Sequence, residues 1–203
     1  PDLVENFTNQ GEVNEVAAQA TGLPFGIPVV YRAGDQPNNA LSLNIFKPGE
    51  VAATGGTSGV IYAVTDTLKS KESSRINNFA HVNYTDENPT VGKLLCINGA
   101  GIQYRWLKNI AGNESYEAMN KRAQEVPVGS DGVIIIPFGN GAERMLNNKN
   151  IGTHITNLNL NVHGKGHLYR AALEGIAFSF VYGMDILKND NARINVIRAG
   201  NDN

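Results

Sequence analysis

Three features of the sequence predict an α/β fold with a mixed sheet flanked by helices. The apolar segments Val51-Ala52-Ala53 and Val60-Ile61-Tyr62-Ala63-Val64 flank the glycine-rich run Thr54-Gly55-Gly56-Thr57-Ser58-Gly59, a hairpin-like pattern. Helix-period and strand-like segments then alternate toward the C-terminus. One of them, over 165–188, is a long helical stretch dotted with small residues, suited to close packing on a sheet.

The elements are expected in this order. Val13, Val16, Ala17 and Ala20 share one face of a helix over 12–21, with Gly22 as its stop. Ile27-Pro28-Val29-Val30-Tyr31 has the composition of a short strand ending in Ala33-Gly34-Asp35, and a helix begins near Asp35. After the glycine-rich hairpin, residues 66–75 are polar and form a surface loop. Strands over 80–82 and 93–97 follow across a polar turn at 86–89, completing a meander of three or more strands. Helices are expected over 101–109, containing Ile102, Trp106 and Leu107, and after Ser115, whose hydroxyl can cap the first turn. Val133-Ile134-Ile135-Ile136 is a continuous apolar run, the signature of a buried strand. In the long helix, Leu168, Ala171, Ala172, Ile176, Phe180 and Met184 form the apolar face. Ile194-Asn195-Val196-Ile197 is the final strand, before the turn Ala199-Gly200-Asn201-Asp202-Asn203.

Composition narrows the function classes. The 203 residues are 41% hydrophobic and 18% charged, which fits a packed domain rather than a disordered chain. A net charge of -2 argues against nucleic acid or an anionic membrane as partner. A single cysteine, Cys96 in Lys93-Leu94-Leu95-Cys96-Ile97, excludes a disulfide framework within the chain and reads as a small core residue in a reducing, cytoplasmic setting. No stretch has the length of a transmembrane helix, and the N-terminus lacks the charged-then-apolar order of a signal peptide. Opening on Pro1 and closing just after a strand and turn, the chain is expected to be a piece of a longer protein.

Few residues can carry chemistry. Asp35, on a glycine corner at a helix start, is held in place and exposed. The positive end of the helix dipole favours its charged form, which can accept a proton from an alcohol; the same position also suits a plain capping aspartate. In the 54–59 run, glycines let backbone N–H groups approach an anion, and Thr and Ser hydroxyls add donors. No Lys follows, so the run is not a Walker loop, and a ligand-free hairpin turn is the other reading. Asn98-Gly99-Ala100-Gly101 and Ala199-Gly200-Asn201 are further small-residue corners after apolar strands, where α/β sheets gather ligands. His154, His163 and His167 have no carboxylate or Cys at ligand spacing and suit solvated or capping roles. Arg144 beside Glu143 suits a salt bridge as well as a ligand contact.

Together these corners resemble a known family. Pro28-Val29-Val30-Tyr31-Arg32-Ala33-Gly34-Asp35-Gln36 followed by Thr54-Gly55-Gly56-Thr57-Ser58-Gly59-Val60 is similar to the FGGY carbohydrate kinases at their catalytic aspartate and second phosphate loop. Ile136-Pro137-Phe138 through Gly141-Ala142-Glu143-Arg144 resembles the family's Pro-aromatic and Gly-Glu-Arg loop. Residues 153–174 resemble its C-terminal signature, with Leu158, His167-Leu168 and Ala171-Ala172-Leu173-Glu174 matched. Two positions depart: Thr153 stands where a small residue is usual, and Asn157 where Gly is usual. Gly-Thr-Ser-Gly-Val and His-Leu-Tyr-Arg-Ala look most like the xylulose-specific branch.

The resemblance implies a ribonuclease-H-like, actin-type ATPase domain that closes on a second such domain around ATP and sugar. Residues 1–26 would be a lead-in helix from a preceding domain or linker. Residues 27–203 would be the C-terminal nucleotide-binding domain, cut short at its end. The implied reaction is phosphoryl transfer from ATP, with Mg²⁺, to a hydroxyl of D-xylulose. Kinases for rhamnulose, fuculose or gluconate, and a non-catalytic actin-like nucleotide-binding module, are the alternatives. Asp35 would be the general base and Gln36 a sugar ligand. Gly56 and Thr57 would hold the β- and γ-phosphates, and Gly101 and Gly200 would flank adenine or ribose, with no protein metal ligand. The expected partners are sugar, ATP and the missing N-terminal kinase domain, which supplies the first phosphate loop and much of the sugar pocket; a homodimer is left open.

Overall fold

The computed structural model describes residues 4–200. Its centre is a five-stranded sheet in the order β3-β4-β2-β1-β7. The strands are β1 (Glu50–Gly55), β2 (Gly59–Thr65), β3 (Asn77–Ala80), β4 (Val91–Ile97) and β7 (Val196–Gly200). β1 and β2 form the expected hairpin, pairing from Val51↔Ala63 to Gly55↔Gly59. β4 runs antiparallel to β2, and β7 runs parallel to β1, so the sheet is mixed.

The two sheet faces follow from the strand period of two. Val51, Ile61, Ala63, Leu95 and Ile97 face α5 (Lys165–Asn189) and form a core with Phe138, Met145, Ile186 and Leu187. Ala52, Tyr62, Val64 and Leu94 face the other way and pack with Ala40 of α2 (Asp35–Ser42). A third cluster joins α5 to α3 (Gly101–Ile110) and α4 (Tyr116–Gln124) through Leu107, Met119, Ala123, Ile135 and Tyr169. The small residues of α5 permit this packing: a Cβ on Gly175 would lie 2.0 Å from the Ile135 carbonyl oxygen, and one on Gly183 2.7 Å from Ile61 Cδ1. Ser115 caps α4 as expected, accepting the Ala118 N–H at 3.2 Å.

Several expectations are corrected. Ile27-Pro28-Val29-Val30-Tyr31 is not a strand of the sheet. It makes one isolated bridge, Glu12↔Pro28, and leaves Val30 58% exposed. Composition gave it strand character, but Pro28 donates no N–H and its neighbour is an equally short segment. Helix α1 (Glu15–Thr21) starts after its Asn14 cap and stops at Gly22 (φ 76°), yet it buries no residue, and Val16 is 76% exposed. The strands do not run as a meander. β3 lies at the sheet edge and ends at Ala80; the His81 N–H still donates to the Thr90 carbonyl at 3.0 Å, and the His81 and Val82 side chains are buried. The Ile134–Ile136 run (β5) lies outside the main sheet and pairs with a short strand unforeseen from sequence, β6 (His154–Thr156). One face of this ribbon meets α5 and the other meets solvent, so Ile135 is buried while Ile134 is half exposed.

Candidate active site

The glycine corners converge at one end of the five-stranded sheet. β1 and β7 are parallel and both end there, with Thr54 opposite Gly200. β2 starts there and β4 ends there, with Gly59 opposite Ile97. Gly56 and Thr57, Gly101 and Gly200 therefore share one rim. Asn201 lies outside the described residues.

The 55–59 turn is tied to α3. The Gly101 N–H donates to the Gly56 carbonyl at 3.1 Å, and the Ile102 N–H to the Thr57 carbonyl at 3.0 Å. In a trans peptide the N–H points opposite to the C=O. Drawing these two carbonyls toward α3 thus turns the N–H groups of Thr57 and Ser58 away from it, and neither has a partner among the described residues. The Gly56 N–H is used inside the turn, donating to the Ser58 carbonyl at 3.0 Å. Free donors on this loop are thus the Thr57 and Ser58 amides and their hydroxyls, an anion-binding arrangement. Glycine is needed at 101 for close approach: a Cβ there would lie 2.3 Å from the Gly56 carbonyl oxygen.

Helix α2 crosses the strands on the opposite face. Asp35 is its exposed first residue, after Gly34 at the cap, and its Oδ1 accepts the Gln36 N–H at 2.8 Å. Pro37 in the first turn costs no helical bond. Leu43, at the far end of α2, packs against Gly200. Cys96 lies near the rim on β4, on the face of the sheet that α2 covers. Burial is the main cause that pushes its thiol up, with smaller effects from the charges of Arg144, Glu143 and Asp35. Cys96 is half-buried and packs against the α2-side core, as a small hydrophobe does. Gln36 is partly buried, with its Oε1 shielded and without a partner.

One functional candidate escaped the sequence reading, and the burial of a second, Glu143, was not legible in it. Gln103 is 4% exposed, and neither its Oε1 nor its Nε2 has a partner. It lines a cleft of about 340 Å³ with Ile102, Trp106, Pro137, Gly139 and Thr153. A Gln between Ile102 and Trp106 on one helical face was the available signal. Glu143 is 1% exposed and makes no ion pair with Arg144, whose Nε instead donates to the Ser74 carbonyl at 3.1 Å. The histidines cap and decorate: His167 Nδ1 accepts the Gly164 N–H at 3.0 Å at the start of α5, and its Nε2 lies 3.2 Å from Asp131. Among the described residues no three His, Cys, Asp or Glu side chains converge as a metal site.

The model of the C-terminal domain of the FGGY family of carbohydrate kinases matches residues 51–200. The chain belongs to that family. Its fold is the ribonuclease-H-like, actin-type ATPase fold of the FGGY kinases. It is 30% identical to a gluconokinase of Bacillus subtilis over 88% of this chain and 37% of that protein. It is 27% identical to a xylulose kinase of Haemophilus influenzae over 98% of this chain and 39% of that one, an alignment long enough to take in α2. Among solved structures, the xylulose kinase from Rhodospirillum rubrum superposes with a TM-score of 0.83 at 29% identity, covering 98% of this chain and 39% of that chain. The chain thus spans about two fifths of the length of these relatives. The departures from the family pattern have local causes. Asn157 adopts φ 59°, a left-handed position that Asn tolerates better than most residues. Thr153 places its Oγ1 2.2 Å from where a Cβ on Gly139 would stand.

Proposed function

We propose that the protein containing this chain transfers the γ-phosphoryl group of ATP to a hydroxyl of D-xylulose, and that the chain forms one wall of the cleft. The single observation that supports this reading most is the rim itself: free loop amides at 57 and 58 and the glycines at 101 and 200, with the exposed Asp35 opening the helix that packs on that sheet. Phosphoryl transfer requires positioning and charge stabilisation more than covalent chemistry, and backbone donors with one base suit it. In this reading Asp35 takes the hydroxyl proton, and Gln36 hydrogen-bonds a sugar hydroxyl through its unpaired oxygen. The loop at Gly56 and Thr57 holds the β- and γ-phosphates, with the Thr57 and Ser58 amides as its donors. Gly101 and Gly200 flank the adenosine, whose approach is bordered by the Gln103 cleft. Mg²⁺ supplies charge neutralisation and is carried by phosphate oxygens and water, which requires no protein cage.

The second wall, with the first phosphate loop and further sugar contacts, belongs to an N-terminal kinase domain in this reading. The lead-in at 1–26 connects to that domain, and 27–203 is the nucleotide-binding domain. The unburied α1 and the exposed Val29 and Val30 support such a neighbour. A cytoplasmic location is part of the same proposal. The chain alone binds ATP weakly and has no useful kinase activity, which calorimetry on the 203 residues checks; tight binding would contradict it.

Gluconate is the second reading, favoured by the 30% identity to a gluconokinase. Full-length protein assayed with ATP on D-xylulose, D-gluconate, L-rhamnulose and L-fuculose separates them. The highest kcat/KM on xylulose is expected. A higher value on gluconate moves the assignment to that sugar, and transfer to none of them favours a non-catalytic nucleotide-binding module.

A further inference from the structure

We propose that Glu143 is a positioning residue for the nucleotide phosphates, acting through the Asn98–Gly101 corner on the carbonyls of Gly56 and Thr57. The proposal rests on the kinase reading of the rim above.

Glu143 is a costly residue to bury. Its side chain is shielded from water, it forms no ion pair among the described residues, and its Oε1 has no hydrogen-bond partner. Burial pushes its carboxyl above the ordinary range, opposed by backbone N–H groups of Asn98, Met145 and Gly99. The Asn98 N–H donates to Oε2 at 2.8 Å. The carboxyl therefore serves as an acceptor for the corner after β4, where the Asn98 amide would otherwise face no partner.

The corner is clamped elsewhere as well. Asn98 Nδ2 donates to the Ala142 carbonyl at 2.9 Å, and Asn140 Nδ2 donates to the Asn98 carbonyl at 3.1 Å. Gly99 lies so close to the 137–138 backbone that a Cβ would stand 1.9 Å from the Pro137 carbonyl oxygen. Glu143 itself is fixed, its N–H donating to the Lys149 carbonyl at 2.9 Å and its carbonyl accepting from Leu146 and Asn148 at 3.0 Å each. Two residues beyond Gly99, the first N–H groups of α3 hold the Gly56 and Thr57 carbonyls. A tilt of the corner tilts the first turn of α3, and with it the Thr57 and Ser58 amides. Glu143 thus reaches the phosphates without touching them, while Gln36 lies on α2, outside this chain of bonds.

The test compares Glu143→Asp, which withdraws the carboxyl by about 1.5 Å, with Glu143→Gln, which keeps its length and its accepting oxygen. Both are made in the full-length protein. Glu143→Asp is expected to raise the ATP KM about tenfold, the scale of a lost hydrogen bond to a charged group. The sugar KM stays within about twofold, the margin of ordinary kinetic scatter. Glu143→Gln is expected to restore the ATP KM to near its original value. Equal rises in both KM values, an unchanged ATP KM with only a lower Tm, or a Gln variant as impaired as the Asp variant would each overturn the proposal. If Glu143→Asp does not fold, Asn98→Ala loosens the same corner, and a selective rise in ATP KM is again expected; no change overturns the proposal. Should the wild-type protein phosphorylate no sugar, the kinase reading fails by itself. ATP binding by calorimetry then decides the positioning role, weaker in Glu143→Asp if it holds and unchanged if it does not.

Discussion

The two ends of the central sheet are built by opposite means. At the rim where β1, β4 and β7 end, glycines and backbone amides dominate, and several polar atoms have no partner: the Thr57 and Ser58 N–H groups, both amide atoms of Gln103 and Oε1 of Glu143. At the other end, the buried Lys93, Asp190 and His81 side chains are all engaged. Lys93 and Asp190 are both 0% exposed and lie 2.7 Å apart. Lys93 also donates to the carbonyls of Asp190 and Lys69, and Asp190 accepts from Ser70 and from the amides of Lys71 and Glu72. This clip joins β4, the end of α5 and the 66–75 loop. Nearby, His81 Nε2 lies 2.9 Å from the Ile45 carbonyl, which can only accept, so that nitrogen carries the proton and Nδ1 accepts from the Tyr62 hydroxyl at 3.0 Å. One end spends its buried charges and its histidine on contacts that hold the fold; the other keeps donors unspent for a ligand.

If that contrast is right, substitutions at the two ends separate stability from binding. The largest stability effect is expected from Lys93→Ala, which strands a buried carboxylate and costs about 3–5 kcal/mol in denaturant unfolding, while ATP affinity of the folded protein is unchanged. A small stability loss there would break the contrast. Gly101→Ala is expected to weigh the other way. Its Cβ collides with the Gly56 carbonyl, and the strain of about 1–3 kcal/mol falls on the loop, weakening ATP binding with a smaller stability loss than Lys93→Ala. Equal loss of both would show that the rim carries the fold as well. The smallest effect is a pH dependence. Burial lowers the pKa of His81 below 6.5, the ordinary histidine value. A group whose folded pKa is depressed contributes stability above its unfolded pKa that is lost as pH falls. Tm is therefore expected to decline below about pH 6.5, and His81→Gln to flatten that part of the profile. An unchanged slope in that variant would place the acid sensitivity elsewhere.

The sequence was most legible where local signals sufficed. The hairpin around 54–59, the Gly34-Asp35 helix start, the Ser115 cap and the long helix with its small residues all follow from periodicity, caps and glycines. It was least legible where pairing is non-local. Nothing in Asn77–Ala80 says that β3 lies outside β4, and three-residue β6 is too short to show alternation. Ile27–Tyr31 shows the converse, since apolar composition cannot supply a neighbouring strand. At the site, the glycines and Asp35 announced themselves by type. Gln103 did not, and Glu143 was named only within its loop motif, because a polar residue on a helix or loop is ordinarily solvated, and only tertiary packing buries these two. Adjacency left Arg144 open between a salt bridge to Glu143 and a ligand contact; the fold makes no such pair and sends its guanidinium to the Ser74 carbonyl.

The account centres on a rim in which backbone amides hold the nucleotide and Asp35 accepts the proton. Asp35→Asn in the full-length protein tests it most directly, with ATP binding measured by calorimetry and phosphoryl transfer to the preferred sugar measured alongside. The account predicts ATP affinity within about twofold of wild type and transfer reduced by about 10²–10⁴-fold, the range for loss of a general base. Near-normal turnover in that variant would contradict it.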